Sequence, residues 1–174
     1  MLIGLCGAAG CGKGSVASIL ERRRGFSVLS FADPLYEAVS AITGLSVSDL
    51  QDREIKEKPL SFVGKSPRYL LQTLGTEWGR NMISPTLWID ACMRRAAGVV
   101  NAVIADVRFD NEARAIKDAG GRVFLIVRPG WRTLSPEAAA HTSEAGVGIE
   151  LVDGFIDNSG TLDDLESVVM RAII

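Results

Sequence analysis

A glycine-rich turn close to the start of the chain constrains the fold more than any other feature. An apolar run at 2–6 leads into Gly7-Ala8-Ala9-Gly10-Cys11-Gly12-Lys13-Gly14-Ser15, and a helical pattern follows. Glycines let the backbone turn its N–H groups inward, and a helix N-terminus adds partial positive charge. A strand, such a loop and a helix in succession therefore predict a phosphate-binding loop at residues 7–15. The alternative is a glycine-rich turn that binds nothing.

Residue types inside this loop indicate its ligand. Lys13 can place a point charge on phosphate oxygens. Ser15 is the hydroxyl predicted to bind Mg²⁺, because Gly14 occupies the position directly after the lysine. This Gly-Lys-Gly-Ser ending resembles the loop of nucleoside monophosphate kinases such as adenylate kinase, and it favours a small-molecule kinase over a switch or a motor. The residues predicted to bind ATP here are Gly7, Ala9, Gly10, Cys11, Gly12, Lys13, Gly14, Ser15 and Val16.

Short apolar runs alternate with helical patterns along the rest of the chain, as in α/β folds with a mostly parallel sheet. The predicted strands cover 2–6, 27–31, 99–105, 122–128 and 154–157. We expect a three-layer α/β sandwich of the P-loop NTPase class with a five-stranded sheet in the order 2-3-1-4-5. A chain of 174 residues suits one domain, 1–174. Within it we predict an acceptor-binding helical region at about 34–98 and a lid insertion at about 129–150.

Several helix boundaries are marked in the sequence. Ser-Pro pairs at 66–67, 84–85 and 135–136 each predict a helix that begins at the proline. Thr161 and Asp164 resemble a capping box. Asp110 is predicted to cap a further helix.

Composition limits the partners. The net charge of -2 gives no general attraction to a nucleic-acid backbone, so nucleic acid is not an expected partner. No apolar run approaches the roughly 20 residues that cross a bilayer, and the first residues lack the pattern of a secretory signal. Three cysteines are too few for a disulfide framework. We therefore expect a cytoplasmic protein with small-molecule partners and no membrane association.

Two acidic residues follow predicted strands. Asp106 comes after an apolar strand, at the edge of the sheet where ligands bind, and could orient Mg²⁺ through water. Arg108 could bind a phosphate; a strand-end salt bridge between the two is the alternative. Asp33 follows the second strand and is predicted in the acceptor site, although it could equally cap a helix entered through Pro34.

The helix after Ser66 has two predicted faces. The apolar face, expected in the core, consists of Leu70, Leu71, Leu74, Trp78 and Met82. The opposite face carries Arg68, Gln72, Gly75 and Gly79. Interior glycines cost roughly 1 kcal/mol each against alanine, so a glycine-floored surface for a base and its phosphate is one explanation. Close packing against another helix is the other. Arg80 is a further phosphate candidate.

Arginines and one asparagine complete the candidates. Arg128 and Arg132 flank Pro129-Gly130-Trp131 after a strand, where mobile arginines could stabilise a transferring phosphoryl group, and Arg128 could stack on adenine. Surface arginines are the alternative. Asn158 is predicted to read the adenine edge, or else belongs to an ordinary turn. His141, the single histidine, is a candidate lid contact.

In this order the motifs resemble those of the deoxynucleoside monophosphate kinases of tailed phages. The matching stretches are Gly7–Ser15, Phe31–Leu35, Ser66–Arg80, Asp106–Glu112, His141–Glu144 and Asn158–Leu162. The resemblance implies ATP and Mg²⁺ as cofactors, a deoxynucleoside monophosphate as acceptor, and the host cytoplasm if the chain is phage-encoded. It implies catalytic roles for Lys13, Arg108, Arg128 and Arg132. Acceptor contacts are then expected from Asp33, Arg68, Gln72, Gly75, Arg80, Asp106 and Arg108.

Two other functions stay open at this point. The chain could be a P-loop kinase for another phosphorylated small molecule, similar to dephospho-coenzyme A kinase or phosphomevalonate kinase. It could also be a module that binds a nucleotide without transferring phosphate. A homodimer is possible in every case.

Overall fold

The computed structural model describes residues 1–129 and 146–173 of the chain. Within them, five parallel strands form one sheet in the order β2-β3-β1-β4-β5. The strands are β1 Leu2–Cys6, β2 Ser27–Leu29, β3 Ala102–Ile104, β4 Arg122–Val127 and β5 Gly154–Asp157. The predicted fold class and strand order are confirmed. The second and third strands are shorter than predicted.

The helices of the structure account for most of the remaining described residues. They are α1 Lys13–Arg24, α2 Asp33–Thr43, α3 Val47–Gln51, α4 Arg53–Glu57, α5 Pro67–Gln72, a π-helix Thr73–Ile83, α6 Leu87–Ala97, α7 Asp110–Asp118, a 3-10 turn Ile149–Leu151 and α8 Leu162–Ala172. None of these described helices has the length and apolar character of a membrane span.

The chain divides into two compact units, residues 31–92 and the remainder. In the larger unit, Ile3, Leu5 and Val103 of the central strands are fully buried. The strands are apolar on both faces because helices cover both sides of a parallel sheet. The prediction of one kinase domain over 1–174, with an acceptor region at 34–98, stays a prediction. Most of the predicted lid, 129–150, lies outside the described residues.

Helix starts follow the predicted caps in two of the described cases. Ser66 accepts a hydrogen bond from the backbone N–H of Tyr69 (3.3 Å), and Thr161 forms a capping box with Asp164. Ser84 instead accepts from Thr86 N (3.2 Å), so α6 begins two residues later than predicted. The predicted helix at 135–136 lies outside the described residues.

Candidate active site

The phosphate-binding loop, residues 7–15, runs from the end of β1 into α1. Gly7 and Gly12 have φ values of 130° and 109°, which favour glycine over other residues. Space is also limited: a Cβ at Gly7 would lie 2.7 Å from the carbonyl oxygen of Ile126, and one at Gly12 would collide with the amide nitrogen of Asn158. Both glycines are therefore required by conformation and by close approach.

Lys13 is the first residue of α1 and folds back over the loop. Its Nζ donates to the carbonyl oxygens of Gly7 (2.6 Å) and Ala8 (2.9 Å). No side chain caps α1, whose N-cap is Gly12. The N–H groups of its first turn are thus left for an external acceptor beside the Lys13 ammonium, an arrangement suited to an anion.

Asp106 is held at the same edge of the sheet. The backbone N–H of Ala105 donates to Leu29 O (2.9 Å), and that of Val107 donates to Leu5 O (3.2 Å). These bonds extend the ladder past β3 and fix the residue between them. Ser30 Oγ donates to Asp106 Oδ2 at 2.5 Å, a partner that sequence reasoning missed. The carboxylate is half-buried and lies near the end of β1, from which the phosphate-binding loop departs.

Glu112 is a second contact that the sequence did not assign. Its side chain is 2% exposed, and its Oε2 accepts from the backbone N–H of Arg108 (2.8 Å) and of Phe109 (3.2 Å). A glutamate at the third helical position is typical of a capping box, so the sequence contained a signal for this contact. The cap predicted at Asp110 is wrong, because Phe109 is the N-cap and Asp110 is the first helical residue. Arg108 itself is exposed.

Asn158 directly follows β5 and contacts the phosphate-binding loop. Its side chain is 8% exposed, and Nδ2 donates to the carbonyl oxygen of Cys11 at 2.8 Å. Its backbone N–H donates to Val127 O at 2.8 Å, which ties it to the end of β4. The donor nitrogen of the amide is thus used on the loop, an arrangement that gives the predicted adenine contact no support.

The remaining loop-side candidates are less defined. Arg128 is exposed and directly follows β4. Arg132 and His141 lie outside the described residues, so their predicted roles stay predictions. Cys6 ends β1 and is buried; burial raises the pKa of its thiol to about 11, against a smaller lowering by the nearby Lys13 charge.

The smaller unit carries the acceptor candidates Asp33, Arg68, Gln72 and Arg80. Asp33 is half-buried as the first residue of α2, whose N-cap is Ala32, so Asp33 does not cap this helix. Arg68 Nε donates to the Glu57 carboxylate, and both side chains are exposed. Gln72 is exposed at the end of α5, and Arg80 is half-buried in the π-helix.

The two predicted faces of the helix after Ser66 are wrong. Trp78 and Met82, assigned to the core, are 45% and 74% exposed, whereas Gly75 and Gly79 are buried. The Trp88 indole covers the glycines: its Nε1 donates to Gly75 O at 2.8 Å, and a Cβ at Gly79 would lie 2.7 Å from the same nitrogen. Close packing against Trp88 therefore explains Gly79, whereas a Cβ at Gly75 would meet only the Leu35 side chain, at 3.2 Å. The assignment of Gly75 to the acceptor site stays a prediction.

Comparison with known proteins identifies the family of this chain. A family model described as deoxynucleotide monophosphate kinase matches residues 46–169. A putative deoxynucleotide monophosphate kinase of Acanthamoeba polyphaga mimivirus is 34% identical over 99% of this chain and 96% of its own length. The deoxynucleotide monophosphate kinase of Enterobacteria phage T4 is 30% identical over 62% of this chain, which spans 45% of that protein's length.

A solved structure supports the fold. Shikimate kinase from Aquifex aeolicus superposes with a TM-score of 0.53 at 14% identity, covering 99% of this chain and 96% of its own. At that identity the likeness shows the fold alone. The family match and the full-length viral relative together establish that this chain belongs to the deoxynucleotide monophosphate kinase family.

Proposed function

We propose that this protein transfers the γ-phosphoryl group of ATP to a deoxynucleoside monophosphate. One observation carries the proposal: the family match covers residues 46–169 and so does not depend on the phosphate-binding loop, which many families share. An oxygen of the acceptor phosphate would form the new bond to the γ-phosphorus while the bond to the β-phosphate oxygen breaks. The products are ADP and the deoxynucleoside diphosphate.

The phosphate-binding loop supplies the ATP site of this proposal. Lys13 already lies against the loop carbonyls of Gly7 and Ala8, from which its ammonium can move onto phosphate oxygens that carry full negative charge. Charge on the transferring group would be stabilised further by Arg108, Arg128 and Arg132. Such arginines can contribute strongly because phosphoryl transfer depends mainly on positioning and electrostatics.

Ser15 and Asp106 fit a magnesium ion. A hydroxyl and a carboxylate are hard oxygen donors, and Mg²⁺ is commonly held by one or two such groups, phosphate oxygens and waters. Across residues 1–129 and 146–173, no three His, Cys, Asp or Glu side chains form a metal cluster. Ser15 would bind directly, and Asp106 through water. When bound, the ion would neutralise charge on the β- and γ-phosphates.

The acceptor is proposed to bind Asp33, Arg68, Gln72 and Arg80, together with Asp106 and Arg108. The Arg68–Glu57 pair does not oppose this role, since exposed ion pairs contribute only about 0–1 kcal/mol. The guanidinium can therefore exchange its carboxylate for a phosphate at little cost. A cytoplasmic location, small-molecule partners and a possible homodimer belong to the same proposal; three free cysteines suit a reducing compartment.

The test is ADP release measured with a coupled assay. ATP, Mg²⁺ and one acceptor at a time are supplied, using dGMP, dTMP, dCMP and dAMP, with dephospho-coenzyme A as a competing acceptor class. We expect turnover with at least one deoxynucleoside monophosphate.

Lys13→Met provides the matched inactive control. It should keep the far-ultraviolet circular dichroism of the wild type and lose more than tenfold in kcat, a change of about 1.4 kcal/mol or more. ADP release that is the same with and without every deoxynucleoside monophosphate would overturn the proposed function.

A further inference from the structure

We propose that Asn158 is a positioning residue that holds the phosphate-binding loop in its anion-binding shape, and not a contact to the nucleotide base. The inference deepens the proposed function and rests on it in one respect: the loop must bind a triphosphate. The proposed transfer reaction gives no role to the turn at 157–161, and this inference supplies one.

The turn is a rigid support for this contact. Asn158 directly follows β5, and its backbone N–H donates to Val127 O at 2.8 Å, so the sheet fixes its main chain. From there the side-chain amide reaches a loop 147 residues earlier in the chain and donates to Cys11 O at 2.8 Å. The contact is buried, so water does not compete for the carbonyl.

This bond sets the orientation of one peptide group. A trans peptide is planar, so its C=O and N–H point in opposite directions. With Cys11 O directed at Asn158, the N–H of Gly12 in the same peptide is directed away from Asn158. If that peptide flipped, a carbonyl oxygen would replace the N–H on that side of the loop. An oxygen there would repel phosphate, whereas the N–H can donate to it.

The backbone of Cys11 is held on both sides of its Cα. Its own N–H donates to Ala8 O at 3.2 Å, and its carbonyl accepts from Asn158. Gly12, the next residue, has no room for a Cβ because the Asn158 amide nitrogen occupies that space. The Asn158 amide therefore requires a glycine at position 12. Its bond to Cys11 O fixes the backbone from which the first turn of α1 begins.

A role in reading the base and a role in positioning the loop predict different losses of triphosphate affinity when Asn158 is replaced. A residue that reads adenine should change the ratio of ATP to GTP affinity and leave binding of a base-free triphosphate unchanged. A residue that positions the loop should weaken every triphosphate by the same factor, because all share the phosphates. Either result can be read without any acceptor, so failure of the proposed transfer reaction would leave this inference testable.

The experiment compares Asn158→Asp, Asn158→Ala and the control Ser159→Ala, an exposed neighbour in the same turn. Dissociation constants for ATP, GTP and inorganic tripolyphosphate are measured by titration calorimetry, at a temperature below each variant's melting transition. Asn158→Asp keeps the shape but replaces the donor nitrogen with an oxygen that faces Cys11 O. Asn158→Ala removes the bond without adding charge and serves if the aspartate variant does not fold.

We expect both Asn158 variants to weaken all three ligands by about tenfold, the value of one buried hydrogen bond, with the ATP-to-GTP ratio within twofold of wild type. Ser159→Ala should match the wild type. Three results would overturn the inference: a changed ATP-to-GTP ratio, unchanged tripolyphosphate binding, or unchanged affinities beside a lower melting temperature. The last would mean that Asn158 only stabilises the fold.

Discussion

The two buried glycines of the π-helix allow a matched test of the packing in the smaller unit. Gly75→Ala and Gly79→Ala place the same methyl group in the same helix, so any gain in helix propensity, up to about 1 kcal/mol, is shared. Their neighbours differ. The new methyl at Gly75 would lie 3.2 Å from Leu35 Cδ1, the tip of a flexible side chain. The methyl at Gly79 would lie 2.7 Å from Trp88 Cε2 and Nε1, within a buried, rigid ring system.

The structure gives the expected magnitudes. At Gly75 a small movement of Leu35 relieves the contact, so the free energy of unfolding should change by less than about 1 kcal/mol. At Gly79 overpacking should cost about 1–3 kcal/mol. Displacing the Trp88 indole also breaks its hydrogen bond to Gly75 O, a further loss of about 0.5–1.5 kcal/mol. After the full propensity gain of about 1 kcal/mol, Gly79→Ala should still be destabilised by about 0.5–3.5 kcal/mol.

Urea unfolding followed by far-ultraviolet circular dichroism measures both variants on the same signal. A third variant, Trp88→Phe, replaces the indole with a smaller ring and removes its Nε1 donor, and in combination with Gly79→Ala it should give less than the sum of the two single losses. Equal stability of the two alanine variants would refute the packing described here. A Gly79→Ala protein more stable than the wild type would mean that helix propensity alone governs this site.

Four further outcomes are expected. Ser15→Ala should raise the Mg²⁺ concentration needed for half-maximal turnover; an unchanged Mg²⁺ dependence would contradict a role as metal ligand. Arg68→Ala should raise the acceptor KM by about tenfold, the value of a charged hydrogen bond, and leave the ATP KM unchanged, as paired saturation curves would reveal. Glu112→Ala leaves two backbone N–H groups without their acceptor and should lower the free energy of unfolding by about 1–3 kcal/mol, whereas Glu112→Gln should lose less in the same urea titration. Burial is the largest influence on the pKa of Asp153 and raises it, but the hydrogen bonds from Lys117 and from the backbone N–H of Val123, with the Lys117 and Arg122 charges, together outweigh burial and lower that pKa. Its stabilisation is therefore present above the unfolded-state pKa of about 3.9 and is lost as pH falls through the lower folded value. Asp153→Asn should thus flatten the acid limb of stability against pH, by less than about 1 kcal/mol for so exposed a pair; an unaltered acid limb would contradict this.

The sheet could be predicted from sequence because its strands are short apolar runs with clear ends. β1 and β5 have their predicted bounds. The predicted third strand includes Val99 and Val100 because both are apolar and β-branched, yet Val100 is 86% exposed in the turn before Ala102. Apolar side chains on a surface turn cannot be told from a buried strand by composition alone.

The faces of the helix after Ser66 could not be predicted because the assumed period was wrong. A regular α-helix has about 3.6 residues per turn, but residues 73–83 form a π-helix, in which each N–H bonds to the carbonyl five residues earlier. The bond from Ser84 N to Gly79 O, 2.9 Å, continues this pattern. A wider turn rotates successive residues differently, so Trp78 and Met82 leave the stripe that a regular α-helix would have formed.

Within the candidate site, the positions of the phosphate-binding loop and of Asp106 at strand ends could be predicted because each follows an apolar strand in a recognisable pattern. It could not identify the contacts that hold them. Ser30 reaches Asp106 across 76 residues, and Asn158 reaches Cys11 across 147. Such pairs depend on which strand ends meet in space. Glu112 was not assigned either, although its place three residues after Phe109 is the one that the acidic residue of a capping box occupies.

The burial of Cys6 has a consequence for chemical labelling. With a pKa of about 11, the thiol carries the reactive thiolate in only about one molecule per thousand at pH 8. Alkylating reagents should therefore modify this cysteine mainly when β1 separates from its neighbours in the sheet. Because the side chain lies directly before the phosphate-binding loop, the rate at which Cys6 is alkylated measures how often β1 opens locally. A triphosphate that binds only the closed form should lower this alkylation rate in proportion to the fraction of loops that it occupies.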